Sequence, residues 1–444
     1  MNRIQSRLRG LGRSKAKWFI SLASLVSAAL VHGEAAAEFP LAKSDGWELS
    51  LDGRLNTFIS FSAGDQQPLY AVQTWSGGLE DRDAGSGSIM MTRIRSAFMM
   101  NVIGFNMVKQ FSPDFKVTGR FSIWSGISQE RSKTDNPSLD ARELYLKLEG
   151  PWGGLLAGRA LGLFERGPIL MDYDLVHGTG LGNPCTVRTV QGGACGFAGH
   201  GLLFPNFSAG VVYNTPNLAG FQLSVGAYDP VAITERDYEI TPYPRVEAEA
   251  TFVVEDHFKV FADMLWQRLI NTAPLKEELG GGLDANGKPK RQTADANGVS
   301  VGAQFTVGPL SAGGAFYTGK GLGLLIPMFN TPLFSDEKKV LRTSQGFVGM
   351  ASLKFGGTKI GGGAGVSQLK MTSTEHEPFA SLDVPKQQLG IGIGLYQTFY
   401  KQLTWALEYF RGQYTWYDYQ AAGSDLAHPT QNVNFINTGL TLLY

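Results

Sequence analysis

After residue 37 the chain lacks any run of about 20 uninterrupted apolar residues, the length that a membrane-spanning helix needs. It also lacks blocks of like charge, since 39 basic and 39 acidic residues are dispersed along its 444 positions. A helical membrane span and a nucleic-acid partner are therefore both unsupported. Histidine is scarce, with six residues, and the five that follow residue 37 all lie in predicted loops or turns. We therefore expect no catalytic residue and no required cofactor.

The first 37 residues have the character of an export signal. A basic region precedes an apolar core from Trp18 to Val31, and Ala35-Ala36-Ala37 supplies the small residues that a signal peptidase requires. We predict that residues 1–37 are a cleaved signal peptide and that residues 38–444 are the mature domain. The alternative is an uncleaved membrane anchor, for which the apolar run is short.

Cysteine occurs twice, at Cys185 and Cys195. An exported chain meets an oxidising compartment, where a disulfide persists, and only one pairing is possible. We predict a Cys185–Cys195 disulfide. A metal site is the weaker alternative, because two thiols without a nearby histidine or acidic pair do not complete a tetrahedral set of ligands.

Alternation of apolar and polar residues is the main structural signal in the mature chain. From Trp47 to Phe61, apolar residues share one parity and polar residues the other, as in a strand with one apolar face. Such strands run to about ten residues, longer than those of most soluble sheets and suited to a membrane barrel. The pattern predicts sixteen strands, at 47–61, 92–111, 115–125, 141–149, 154–159, 207–214, 220–228, 244–254, 258–268, 298–307, 311–320, 344–355, 359–370, 386–399, 403–417 and 432–444.

The connections between these strands alternate strictly between short and long. The short ones are rich in Pro, Gly and Asp, which supply the backbone angles of tight turns. The long ones include residues 160–206, by far the longest. Outer-membrane barrels have this layout, with short periplasmic turns and longer outer loops. A soluble sandwich or propeller is the alternative, but neither predicts the alternation, and no blade repeat is visible.

Three stretches carry a resemblance to a known family. They are Gly154–Arg159, which ends in Gly-Arg before the longest loop, the hairpin sequence Phe207–Phe221, and the alternating C-terminus from Asn432 to Tyr444. Together they resemble the Gram-negative trimeric general-diffusion porins. The chain departs from enteric members in lacking a Pro-Glu-x-Phe-Gly-Gly stretch in its third loop and in ending with tyrosine.

The resemblance implies an all-β fold: a transmembrane antiparallel 16-stranded β-barrel whose long third loop, residues 160–206, folds into the lumen. It also implies a homotrimer in the outer membrane of a Gram-negative bacterium. Outer-membrane lipid and lipopolysaccharide would surround it, and the barrel assembly machinery would recognise the strand that ends at Tyr444.

In a membrane barrel the polar parity of each strand faces the lumen. The apolar residues of each strand indicate the parity that faces lipid, and on the second strand they include Ile94, Phe98 and Met100. An arginine facing lipid at mid-membrane costs about 2–4 kcal/mol, which supports this assignment. It predicts a basic wall of five inward arginines: Arg54, Arg93, Arg95, Arg120 and Arg159.

The acidic residues of the long loop are the predicted counterpart of this wall. Glu165, Asp172 and Asp174 lie in its first half, so an inward fold would place them opposite the arginines and create a transverse field. The alternative is that these acids pair with Arg166 and Arg188 on the outer surface. The sequence thus predicts a porin that passes small hydrophilic solutes and ions passively through a water-filled channel. The alternative is a substrate-specific channel for anionic or sugar solutes.

Overall fold

The computed structural model describes residues 38–65, 88–127, 140–178, 180, 182, 195–231, 238–239, 241–255, 257–271, 285, 287, 293–328, 335–336, 338–379, 384–420, 425 and 427–444. The predicted signal peptide, residues 1–37, lies outside these ranges, and so does Cys185. Among the described residues, no helix combines the length and the hydropathy needed to cross a membrane.

Nineteen strands within these ranges form a single sheet. They are β1 (Phe39–Ser44), β2 (Trp47–Asp65), β3 (Ser88–Arg95), β4 (Asn101–Ser112), β5 (Phe115–Ser125), β6 (Asp140–Gly150), β7 (Gly153–Leu161), β8 (Phe207–Asn214), β9 (Phe221–Tyr228), β10 (Tyr238–Glu239), β11 (Arg245–Val254), β12 (Phe258–Asn271), β13 (Thr293–Val307), β14 (Leu310–Lys320), β15 (Thr343–Phe355), β16 (Thr358–Lys370), β17 (Pro385–Phe399), β18 (Leu403–Trp416) and β19 (Thr430–Leu443).

The sheet closes on itself, because β19 pairs with β18 on one side and with β2 on the other. β3 and β4 both pair with β2 and together make one crossing strand, whereas β1 and β10 are short additions to the sheet. The described residues therefore form a closed antiparallel barrel of sixteen crossing strands, which confirms the predicted fold class. Closure leaves a sheet without the unpaired edges that a membrane does not tolerate.

The two faces of the barrel wall differ in chemistry, as the alternation predicted. On β17, for example, Ile391 and Ile393 are exposed on the outer face, while Gly392 and Tyr396 are buried on the inner face. Polar residues such as Glu408 on β18 and Asn437 on β19 also lie on the inner face. The outer face is therefore an apolar belt, and the inner face holds the polar side chains.

The predicted strand at 92–111 is wrong as a continuous element. Between the pairs Phe58↔Arg95 and Arg54↔Val102, β2 advances by four residues and its partner by seven. The extra residues between β3 and β4, centred on Ala97 and Phe98, bulge inward. The Asn56 side chain accepts a hydrogen bond from the Ala97 amide (2.7 Å) and donates one to the Met99 carbonyl (2.8 Å). These bonds replace the strand pairing that the bulge interrupts.

The bulge also corrects the assignment of two apolar residues. Phe98 and Met100, predicted to face lipid, are buried, and Phe98 belongs to the internal apolar cluster. The Phe98 amide donates a hydrogen bond to the Gly180 carbonyl of the long loop (2.6 Å). Apolar parity failed here because Phe98 packs inside the barrel with residues of the loop, and Met100 packs with Val102 and Trp124 on the inner face.

A second feature that the sequence pattern missed is β1. This strand pairs with residues 47–51 of β2 through a tight turn at Asp45-Gly46, where both residues have positive φ. Residues 39–44 are exposed along their whole length. Their apolar residues, 39–42, are consecutive, so the sequence lacks the alternation that indicates a strand.

The segment between β7 and β8 contains a short helix, α1 (Arg166–Asp172), followed by one π-helical turn (Tyr173–His177). Its apolar residues, among them Ile169, Met171 and Leu175, share a buried cluster with inward-facing Phe261 of β12 and Phe410 of β18. The segment therefore packs against the inner wall of the barrel. Residues that follow β14, including Leu322 and Leu325, are also buried, and the Leu325 carbonyl accepts a hydrogen bond from the Phe204 amide (2.7 Å).

Glycines on the inner face of β16 and β17 allow this close approach. A Cβ at Gly361 would lie 2.6 Å from the Leu175 carbonyl oxygen, and one at Gly390 would lie 2.9 Å from the Cβ of His200. A Cβ at Gly365 would overlap the carbonyl oxygen of His200. At Gly361 and Gly365 the backbone of the loop occupies the space of a side chain, and at Gly390 the side chains of His200 and Phe410 do so.

We expect Gly365→Val to destabilise the protein by about 1–3 kcal/mol, since the added side chain must displace the loop around His200. The measurement is the midpoint of thermal unfolding in detergent. Gly349→Ala is the matched control, because no described atom lies within 4 Å of a Cβ built there. Equal midpoints for Gly365→Val and Gly349→Ala would contradict the close packing of loop and wall.

Candidate functional site

The helix α1 and the turn after it present one face to the interior space and bury the other. Arg166, Leu170, Tyr173 and Asp174 retain access to solvent, at the three- to four-residue spacing of one helix face. The opposite face, which includes Ile169 and the residues around it, is buried against the barrel wall. The three predicted loop acids are divided between buried and exposed positions: Glu165 and Asp172 are buried, and Asp174 is exposed.

Glu165 lies at the start of α1 and is only 1% exposed. It adopts the left-handed conformation (φ 67°), and its Oε2 accepts a hydrogen bond from the Leu203 amide (2.9 Å). Burial raises the pKa of Glu165 to about 7, although its hydrogen bonds favour the charged form. The residue joins the two ends of the loop and does not face the predicted arginine wall.

Asp172 is fully buried and also binds within the loop. Its Oδ1 lies 2.6 Å from Nδ1 of His177, and its Oδ2 accepts a hydrogen bond from the Phe197 amide (2.8 Å). Burial disfavours the charged imidazolium, but the adjacent carboxylate outweighs this and raises the pKa of His177. Asp172 therefore holds the first half of the loop to the second.

Asp174 is the one predicted acid on the exposed face of the segment. Its carboxylate interacts electrostatically with Lys259 of β12 and Lys359 of β16, and Lys359 Nζ donates a hydrogen bond to the Asp174 carbonyl (3.3 Å). Beside it, the guanidinium of Arg54 on β2 lies 5.7 Å from the ring centroid of Tyr173. The loop thus meets one arginine of the predicted wall and two lysines outside it.

Four of the five predicted arginines lie on the inner parity of the wall. Arg54 contacts Tyr173, as described, and Arg93 and Arg95 pair in register with Ser60 and Phe58, which are buried on the inner face of β2. Arg93 is exposed and Arg95 is buried. The alternation of β2 and β3 was therefore sufficient to orient these side chains.

Arg120 also faces inward but belongs to a buried ionic network. Its Nη1 lies 2.7 Å from Oδ2 of Asp52, and its Nε lies 2.8 Å from Oε2 of Glu143. Asn106 Oδ1 accepts a further hydrogen bond from Nη1 (2.7 Å). Two carboxylates thus pair with one guanidinium, and removal of the arginine would leave both of them buried without this partner.

Arg159 is not on the inner face as predicted. It pairs in register with Leu144, which is 57% exposed on the outer face, and with Ala209 on the other side. Its Nη2 reaches to 3.7 Å from Oδ1 of Asp140. The prediction failed because the adjacent Leu155 and Leu156 make the alternation of β7 ambiguous, and only the register with β6 resolves it.

Two glutamates of β11 bind the first residues of the loop. Glu247 Oε2 accepts hydrogen bonds from the amides of Leu163 (2.7 Å) and Phe164 (3.0 Å), and Arg166 Nε lies 3.1 Å from Oε2 of Glu249. The alternative prediction, in which Arg166 pairs with the loop acids, is not what is observed. The inward parity of Glu247 and Glu249 was readable from the sequence by the same alternation.

The predicted disulfide falls partly outside the described residues. Cys195 is buried close to the segment that Asp172 holds, whereas Cys185 and Arg188 are not described. The Cys185–Cys195 bridge therefore stays a prediction. Among the described residues, no cluster of three or more His, Cys, Asp or Glu side chains could hold a metal ion.

A closed barrel with an apolar outer belt and charged side chains on an internal segment defines the class of outer-membrane channels. The family model described as Gram-negative porin matches residues 23–441. The chain belongs to the Gram-negative porin family, and it is a channel of the outer membrane and not an enzyme.

Solved structures of such channels share the fold. The outer membrane channel DcaP of Acinetobacter baumannii is 15% identical, with a TM-score of 0.59 over 90% of this chain and 99% of that one. The anion-selective porin from Comamonas acidovorans is 13% identical, with a TM-score of 0.56 over 90% and 100%. The trimer form of OmpT from Vibrio cholerae is 13% identical, with a TM-score of 0.50 over 90% and 100%. No curated protein sequence matches this chain.

The raised pKa of Glu165 makes stability depend on pH. Its pKa is about 7 in the folded state, against an ordinary 4.5, so the folded state binds the proton more tightly. Stability is therefore highest below pH 4.5 and falls until about pH 7, by on the order of 3 kcal/mol. Glu165→Gln removes the titrating group and keeps an acceptor for the Leu203 amide. We expect this variant to match the wild type at pH 4.5 and to unfold at a higher temperature at pH 8.

Thermal unfolding in detergent at the two pH values measures this difference. Glu255→Gln, an exposed change in the turn between β11 and β12, is the control and should leave the difference between the two pH values unchanged. If Glu165→Gln shifts the midpoint equally at pH 4.5 and pH 8, the buried carboxyl does not titrate as described.

Proposed function

We propose that this porin passes small hydrophilic solutes and ions by passive diffusion, and that residues 160–206 form its constriction. The proposal rests on one observation. Asp174 is solvent-exposed, yet it lies on a segment packed inside the barrel and next to the inward-facing lysines of β12 and β16. A charged side chain retains such exposure only where water reaches it, so the interior beside α1 holds a path for water.

The charged residues beside this path differ from the predicted ones. The carboxylate of Asp174 faces Lys259 and Lys359, and Arg54 approaches from β2. Glu165 and Asp172 are buried within the loop and contribute no exposed charge. Opposed charges at the narrowest point would order water and dipolar solutes and disfavour apolar ones.

A preference for anions is the second candidate. Around the exposed Asp174, three inward cations outnumber one carboxylate, while Arg120 is paired with Asp52 and Glu143 in a separate buried network. An excess of positive potential at a constriction raises the local concentration of anions. The Comamonas acidovorans channel with the same fold is described as anion-selective, but at 13% identity that likeness extends to the fold alone.

We propose a homotrimer as the working assembly, surrounded by outer-membrane lipid and lipopolysaccharide. A trimer form is described for the Vibrio cholerae OmpT, which shares the fold. The alternating C-terminal strand that ends at Tyr444 is the proposed signal for the barrel assembly machinery.

Planar-bilayer conductance tests the proposed channel. The purified protein should insert in groups of three equal steps, each with a conductance that rises with salt concentration without saturating. Saturation by a single anionic or sugar solute would favour the substrate-specific channel instead. Absence of any conductance from the folded protein would contradict both.

Reversal potentials in a salt gradient test the role of Asp174. We expect Asp174→Asn to shift ion preference towards anions, because the exposed carboxylate that opposes Lys259 and Lys359 is removed. Asp45→Asn is the matched control, since this side chain is exposed in the turn between β1 and β2, away from the loop. An unchanged reversal potential in Asp174→Asn would place this residue outside the ion path.

A further inference from the structure

The outer face of the barrel carries a row of glutamines on three neighbouring strands. Gln345 of β15, Gln368 of β16 and Gln387 of β17 are paired directly in register. Their side chains bond in sequence: Gln345 Nε2 donates to Gln368 Oε1 (2.9 Å), and Gln368 Nε2 donates to Gln387 Oε1 (2.8 Å). A ladder of amides on a face that is otherwise apolar marks a place where that face meets polar groups.

The row has an apolar neighbour on one side. Two residues further into the membrane, Phe347, Val366 and Leu389 occupy the same face and the same three strands. Phe347 is more than half exposed, so this part of the surface is available to acyl chains. The glutamines therefore lie at the border between the hydrocarbon belt and the headgroup region.

On the other side of the row lie two lysines. Lys320 of β14 and Lys370 of β16 both pair in register with Thr343 of β15, and both are exposed. Their backbones are two strand spacings apart, which is about 10 Å. Lysines at this level of a membrane protein extend towards phosphate-bearing headgroups, each contributing about 1 kcal/mol of attraction.

The order of these three rows is apolar, then amide, then cationic. A phosphorylated glycolipid presents its groups in the matching order, with acyl chains, then sugar hydroxyls and amides, then phosphates. The strands end here at the connections that follow β14, β16 and β18, which are the long ones. In an outer-membrane barrel the long connections face outward, so the surface lies in the outer leaflet.

We propose that the outer ends of β14 to β17 form a binding surface for one lipopolysaccharide headgroup. Lys320 and Lys370 bind its phosphates, Gln345 and Gln368 contact its sugars, and Phe347 packs on an acyl chain. The proposal rests on the outer-membrane location and the lipopolysaccharide partner proposed above, and it assigns that partner to named residues.

Binding of purified bisphosphorylated lipid A to the delipidated mature protein in detergent, followed by calorimetry, tests this surface. We expect the double variant Lys320→Gln/Lys370→Gln to lose at least about tenfold in affinity. The variant Lys320→Arg/Lys370→Arg should keep its affinity within twofold. Lys401→Gln is the matched control, because it removes one exposed lysine in a short turn at the opposite end of the barrel.

The other outcomes overturn the proposal. One is that the Gln double variant binds lipid A with an affinity within twofold of the wild type. Another is that the wild type binds phosphatidylglycerol as tightly as lipid A. Disulfide cross-linking between Thr343→Cys chains in outer membranes would assign the surface to a second copy of the chain. The Gln double variant should conduct as the wild type does, so a failure of the channel proposal is seen separately in the bilayer.

Discussion

Backbone hydrogen bonding in a medium without water is the constraint on which this structure depends. Every peptide group within the hydrocarbon must find a partner in the protein, and a closed antiparallel sheet provides it. Closure through β19 and β2 fixes the registers around the barrel, and the registers decide which side chains meet lipid and which meet the interior. The position of each charged residue on a strand follows from this arrangement.

The interior of the barrel is filled by the long loop, which needs both space beside the wall and partners for its polar groups. Glycines on β16 and β17 leave room for the backbone of the long loop, and the loop in turn satisfies its own polar groups. Glu165 and Asp172 accept hydrogen bonds from loop amides, and Glu247 accepts those of Leu163 and Phe164. Of the three predicted loop acids, Glu165 and Asp172 therefore hold the loop in place, and Asp174 is exposed.

The sequence predicted the barrel well because membrane strands alternate over many residues. Alternation oriented Arg54, Arg93, Arg95 and Arg120 correctly, and turn chemistry located the short connections. It failed at Arg159, where two adjacent leucines satisfy either parity, and at Phe98, which is apolar because it packs against the loop. Nor could it separate the buried Asp172 from the exposed Asp174, because that difference depends on which face of a helix meets the wall.

The contact between the ends of the chain governs how the barrel assembles. The amide of Gly53 donates to the Tyr444 carbonyl (2.8 Å), and the Tyr444 amide donates to the Gly53 carbonyl (3.0 Å). Tyr444 thus completes a ring that the first long strand begins, so the closing contacts join residues that are far apart in the sequence. Contacts of such separation form slowly, and closure has to await translation and export of the final strand. Until then the chain exposes apolar strands with unpaired edges, and in that state it is prone to aggregate.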